Sequence, residues 1–223
     1  MKQKFDKWHR WLEAIRADLR AARIQNHIYH ELAKIVAGNP TLPQTSDLYW
    51  YLSVQHAQAL SMAVRRQVKR NPDSISLLGL LEEIRDNVTL FTKDRALEGL
   101  DQAFAPRFLT EFGILSDSSG DHLSSAVVDS DNKELQSSAA TLEGYADRVI
   151  AHLDKRQPKS WPQYQDLNKA LDTLERLLYR YMFLVDRSIG GSLVAGFDDA
   201  DWRRPLAFAW LPPTMSDSET SAV

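Results

Sequence analysis

The stretch Tyr145-Ala146-Asp147-Arg148-Val149-Ile150-Ala151-His152-Leu153-Asp154 carries the side chains best suited to chemistry. Arg148 and His152 stand four apart there, so on a helix their side chains are neighbours. Taking Leu142 as the centre of the apolar stripe, at about 100° per residue, His152 falls about 80° from the centre and Arg148 about 120°. Both then sit at the rim between core and solvent. A rim histidine is half-buried, titratable near neutral pH and accessible, which suits acid–base work. The competing reading is a structural histidine that makes surface hydrogen bonds near Asp154 and Arg148. Polar pairs of that kind are common on structural helices, and the residue types alone favour it.

A second cluster, Arg65, Arg66, Lys69 and Arg70, is expected at the C-terminal end of a helix. Cations there complement the helix dipole and the last free carbonyls. The sharper alternative is an RNA-contacting patch, which Arg85 joins if the next helix folds back. Bulk charge does not choose between them. With 27 basic and 30 acidic residues the formal charge is −3, so no global electrostatic grip on nucleic acid is indicated, while a local patch stays open.

Other chemistries find little support. His27 and His30, with Glu31 beside them, suggest a metal site at first sight. Carboxylate-bridged di-iron bundles need Glu-x-x-His on each of two helices, and none of the six histidines has Glu three residues before it. No metal and no cofactor are expected. Glycine fingerprints for phosphate loops or dinucleotides are missing, since the doublet Gly190-Gly191 follows a helix instead of opening one. The chain has no cysteine, which excludes disulfides, thiolate nucleophiles and cysteine zinc sites. No long apolar run and no signal core stand out, so no membrane span and a cytoplasmic location are expected.

These residues need helices to position them, and the apolar periodicity supplies them. Phe5, Trp8, Leu12, Ile15, Leu19 and Ala22 mark a helix over about Lys4–Ala37, stopped by Gly38-Asn39-Pro40. Ser46 is placed to cap a second helix reaching about Arg70 before Asn71-Pro72. Asp73 or Ser74 would cap a third, containing Leu77, Leu78, Leu81 and Ile84. A further helix over Asp94–Phe104 is expected before Pro106, then an exposed Ser/Asp/Gly-rich loop over 116–130. Asp131 with Glu134 resembles a capping box that opens a helix over 131–156, closed by Pro158. Ser160 with Gln163 resembles another, ahead of a helix carrying Tyr164 through Val185. Phe197, Trp202, Phe208 and Trp210 are expected to pack back onto the bundle. The fold class is therefore all-α: a bundle of long antiparallel helices over 1–191, a packed aromatic segment over 192–213 and a disordered polar tail over 214–223.

The stretch ending Val149-Ile150-Ala151-His152-Leu153-Asp154 resembles the signature helix of the HEPN superfamily, in particular the abortive-infection proteins of the Abi U type. Residues 64–84, a basic helix end followed by a turn and a serine- and leucine-rich helix, resemble the same group. So does Asp198-Asp199-Ala200-Asp201-Trp202-Arg203-Arg204, running on to Phe208-Ala209-Trp210. The resemblance implies an RNA- or nucleotide-directed role in a phage-defence or toxin–antitoxin setting. It implies acid–base work for His152, phosphate contact for an arginine, and a site formed where two such helices meet in a homodimer. Cleavage would be metal-independent, with the RNA 2′-hydroxyl attacking. In active members an arginine precedes the histidine by four to six intervening residues and a polar residue follows the arginine. Five would place the arginine at Ala146, with Asp147 as the polar follower, whereas Arg148 leaves three. Two functions follow from the resemblance. One is an endoribonuclease using His152, Arg148 and Asp147. The other is a non-catalytic RNA- or nucleotide-binding or regulatory module, with a protein partner such as an antitoxin.

Overall fold

The computed structural model describes residues 2–39, 46–98, 100, 102–103, 105–152, 154–158, 160–188 and 190–207. Its helices are α1 (Lys2–Gly38), α2 (Asp47–Val68), α3 (Leu77–Arg85), α4 (Lys93–Leu97), α5 (Ala105–Leu115), α6 (Ser125–Tyr145), α7 (Tyr164–Asp186) and α8 (Asp199–Arg203). A π-turn over Ala146–Ile150 extends α6. Among the described residues extended backbone pairs only as two isolated bridges, Thr92 with His122 and Ser116 with Leu123. The chain is all-α, as its periodicity predicts.

Four long helices make the frame. α1 packs on α7 and α2, and α6 packs on α2 and α7. The α1 stripe from Phe5 to Ala22 is buried as the spacing requires. α7 lies at the centre, with Leu167, Leu171, Leu174, Leu178 and Tyr181 all inside. Cross-links of falling number run along α1 and α7: His9 to Asp186 at 2.9 Å, Arg23 to Asp172 at 2.6 Å, Asn26 to Asn168 at 3.0 Å and Tyr29 to Tyr164 at 2.7 Å. The two helices are therefore antiparallel.

Several boundaries differ from the sequence expectation. Ser46 does cap α2, accepting from Tyr49 N. The cap of α3 is Ser76, which accepts from Gly79 N at 3.1 Å, and not Asp73 or Ser74. Asn71 Oδ1 instead takes the Asp73 N–H in the preceding turn. Pro106 does not end a helix but sits in the first turn of α5, where its missing N–H costs nothing. The helix ahead of it is only Lys93–Leu97. α6 starts at Ser125, because Val128 extends the apolar stripe upstream and is fully buried. The exposed loop is correspondingly shorter, and Asp131 is no cap. It is 3% exposed and accepts from Arg180 and, at 3.0 Å, from the Tyr181 hydroxyl. The capping box of α7 is Gln163 with Asp166.

The segment after α7 folds back along α1. Leu193 is buried, and its carbonyl accepts from Arg20 at 2.7 Å. Asp199 receives His27 at 2.8 Å, Arg203 reaches Glu31 at 2.6 Å, and Phe197 meets His27 edge-on. The expectations for Phe208, Trp210 and residues 214–223 lie outside the described residues.

Candidate functional site

The structure separates the residues that the sequence groups together. α6 passes into the π-turn, where Ala151 N bonds Ala146 O at 2.8 Å, and regular helix ends at Ile150. His152 therefore lies beyond the helix, exposed, and the expected neighbour geometry of Arg148 and His152 on a helix reaching 156 does not arise. Among the described residues the His152 imidazole makes no hydrogen bond. Asp154 is taken by Arg156, at 2.8 Å. Arg148 donates to Gln157 O at 3.3 Å.

Asp147 is committed to α2. It accepts from Arg65 Nε and, at 2.7 Å, from Lys69 Nζ. Burial pushes its carboxyl up, but the bonds from Lys69 and Arg65 outweigh this and hold it below the usual carboxylate range. Ala146, the position that five intervening residues would assign to the family arginine, is fully buried.

The rest of the basic cluster is answered in the same way. Arg66 meets Asp18 of α1 at 2.6 Å, and Arg70 meets Glu82 of α3 at 2.6 Å. Lys69 also stands 3.7 Å from Glu143. Arg85 pairs with Asp129, at 3.1 Å, and with Asp86. The four cations at the C-terminal end of α2 and just beyond it thus tie α1, α3 and the end of α6 to one helix terminus. Arg66 and Arg70 remain exposed, so they keep a face toward solvent.

A third group went unnoticed in the sequence. Tyr29 of α1 bonds Ser53 Oγ of α2 at 2.8 Å and the Tyr164 hydroxyl of α7 at 2.7 Å. The His56 ring stacks on Tyr29 with centroids 4.0 Å apart. Its Nε2 is buried without a partner among the described residues. Burial, with a smaller contribution from His30, lowers the His56 pKa to about 4. Hydrogen bonding to Tyr29, then burial, raises that of Tyr49 to about 12. The available signal was a histidine and a serine on the buried side of α2, three apart. Around this group Trp50, Tyr51 and Trp161 stand exposed, Trp50 by 67% and Trp161 by 61%. Trp161 leans on Tyr145 at 5.7 Å, which brings it beside the π-turn.

Among the described residues no cluster of histidine and acidic side chains could hold a metal ion, and no helix is long and apolar enough to cross a membrane. The AbiU2 family model of HEPN domains matches residues 5–207. The chain belongs to the HEPN AbiU2 family. Membership makes it a phage-defence-associated HEPN domain. The match runs from the first turn of α1 through α8, so this AbiU2 unit includes the folded-back segment as well as the four-helix frame. No curated protein and no solved structure matches the chain.

Proposed function

We propose that this AbiU2 protein is the RNA-directed, non-catalytic component of a phage-defence system. It binds single-stranded RNA at the surface formed by the π-turn, the 151–163 connection and the exposed aromatics. The observation that carries this reading is the burial of Ala146. The family arginine would project from this point, and here the point lies in the core while Asp147 beside it is bound to Arg65 and Lys69. What remains at the surface is Arg148, His152 and Trp161, a guanidinium, an imidazole and an indole that suit backbone contact and base stacking. Arg65, Arg66, Lys69 and Arg70 add positive potential next to that surface. The experiment is electrophoretic-mobility titration of a labelled single-stranded RNA with wild type, Arg148→Ala and Trp161→Ala. Each variant should bind about tenfold more weakly, in line with a lost charged hydrogen bond or stacked base. Equal binding by all three would remove the surface from consideration.

One observation favours the second reading, a metal-independent endoribonuclease. His152 is exposed and unpartnered among the described residues, as a histidine completed by a second subunit would be. In that case a homodimer covers it, and wild type cleaves RNA in EDTA with a bell-shaped pH profile. His152→Ala then loses on the order of a hundredfold in rate. Cleavage that survives in His152→Ala rules out this reading.

A further inference from the structure

α5, α7 and the chain leaving α7 enclose a cleft of about 660 Å³, well inside the roughly 300–1,000 Å³ range of small-molecule sites. Neither Arg148 and His152 nor the Tyr29–His56 group lines it. One wall is apolar: Phe108 of α5 stacks on Phe183 of α7 with centroids 4.2 Å apart, and Ile114 stands 69% exposed at the mouth. Four arginines, Arg107, Arg176, Arg180 and Arg187, also line it. Arg180 is answered by the buried Asp131, and Arg176 by Glu134 at 2.6 Å. Glu111, one turn along α5 from Arg107, faces the same cleft. Two of the four guanidinium groups are thus ion-paired, Glu111 is a third carboxylate on the lining, and the count leaves one positive charge over.

Two features fix this arrangement. Arg187 caps α7 in the left-handed region, at φ 57°, the only non-glycine residue with positive φ among those described. An L-residue adopts that conformation only when its surroundings hold it there. Here the guanidinium donates to Arg95 O at 2.6 Å and to Glu98 O. Those partners are carbonyls, so the group is positioned but its charge is not neutralised. Gly190 borders the cleft next to Tyr179. A Cβ at Gly190 would stand 2.3 Å from the Tyr179 ring, so glycine is what allows the ring to lie against the chain there.

We propose that the cleft binds a small amphipathic monoanion, an organic acid whose aromatic or acyl body lies on the Phe108–Phe183 wall and whose head group meets Arg107 and Arg187. The excess of one positive charge sets the ligand charge, and the mixed wall sets its body. The probe is 8-anilino-1-naphthalenesulfonate, an aryl monoanion that fluoresces when shielded from water. Its neutral counterpart, N-phenyl-1-naphthylamine, serves as the comparison. Wild type should bind the sulfonate saturably at one site, and the neutral amine about tenfold more weakly, the equivalent of one charge contact. Arg107→Glu and Ile114→Asp should each weaken sulfonate binding by about tenfold or more. Ile35→Asp, at an exposed apolar position far along α1, should leave it unchanged. Both cleft residues are exposed, so helical circular dichroism and the melting curve should match wild type and show that the variants fold. Non-saturable binding, equal affinity for the amine, or equal loss in Ile35→Asp would overturn the proposal.

Discussion

Asp131 shows how much one buried side chain can hold. Its carboxylate accepts from Arg180 and from the Tyr181 hydroxyl at the centre of the α6–α7 contact. Burial, then the charge of Asp131, pushes the Tyr181 hydroxyl far up, so it stays protonated and donates. Removing one partner of such a pair strands the other, which typically costs about 3–5 kcal/mol. Asp131→Ala should therefore lower the urea midpoint sharply without changing the slope of the transition, and Asp131→Asn should recover part of the loss. A midpoint within error of wild type would show that solvent reaches the pair. His56 makes a different prediction. Its folded-state pKa, about 4, lies below the ordinary histidine value of 6.5. As pH falls the unfolded chain takes up the proton first, so stability is whole above about 6.5 and is lost progressively toward about 4. His56→Phe keeps the stack on Tyr29 and removes the titration. Its urea midpoint should fall less than that of wild type between pH 7 and pH 4.5. Parallel falls would show that His56 does not carry the acid sensitivity in this range.

Among the elements, α1 as far as Ala22 and α7 from Leu167 were legible because their apolar residues recur at helical spacing and are buried, whereas Ile35 at the end of α1 is exposed. The start of α6 was not. Asp131 has the side chain of a cap and a glutamate three residues on, and only the burial of Val128 one turn earlier shows that the helix is already under way. The end of α6 was hidden for another reason, since no residue type announces a π-turn. The candidate site was legible only as composition. The sequence shows four cations in a row of six residues, but their partners Asp18, Glu82 and Asp147 come from three distant segments. No local spacing encodes those pairs. The segment after Gly191 turns back along α1 in its described part, and its contacts allow a test. Truncation there removes buried Leu193 and the α8 links to His27 and Glu31. Losing a buried leucine alone costs about 2 kcal/mol. At about 2–4 °C per kcal/mol for a chain of this size, the melting temperature should drop by several degrees. An unchanged melt would make the segment a passenger.

For the whole molecule, the single chain offers two unlike surfaces. The first joins the π-turn, His152 and exposed tryptophans, and the second is the arginine-lined cleft between α5 and α7. Exposed aromatic side chains are where a partner would cover the molecule. If that partner is a second copy, sedimentation at micromolar concentration should give a dimer, and Trp50→Ser with Trp161→Ser should return it to monomer. If the dimer persists in the double variant, the aromatic surface is not where subunits meet.

The π-turn also acts as a phase shifter. A helix that continued as α past Tyr145 would carry its apolar stripe forward at about 100° per residue. The wider turn over Ala146–Ile150 uses one residue more than that rhythm allows. Everything downstream is rotated relative to the stripe that runs through Leu135 and Leu142. The surplus residue thus sets which way Arg148 faces and where the chain leaves the bundle toward His152. Insertions and deletions at this point consequently differ in kind from substitutions. Deleting one residue between Val149 and Ala151 would restore the α rhythm and swing the side chains that follow, His152 among them, by nearly a third of a turn, all without changing the charge of any residue that contacts solvent.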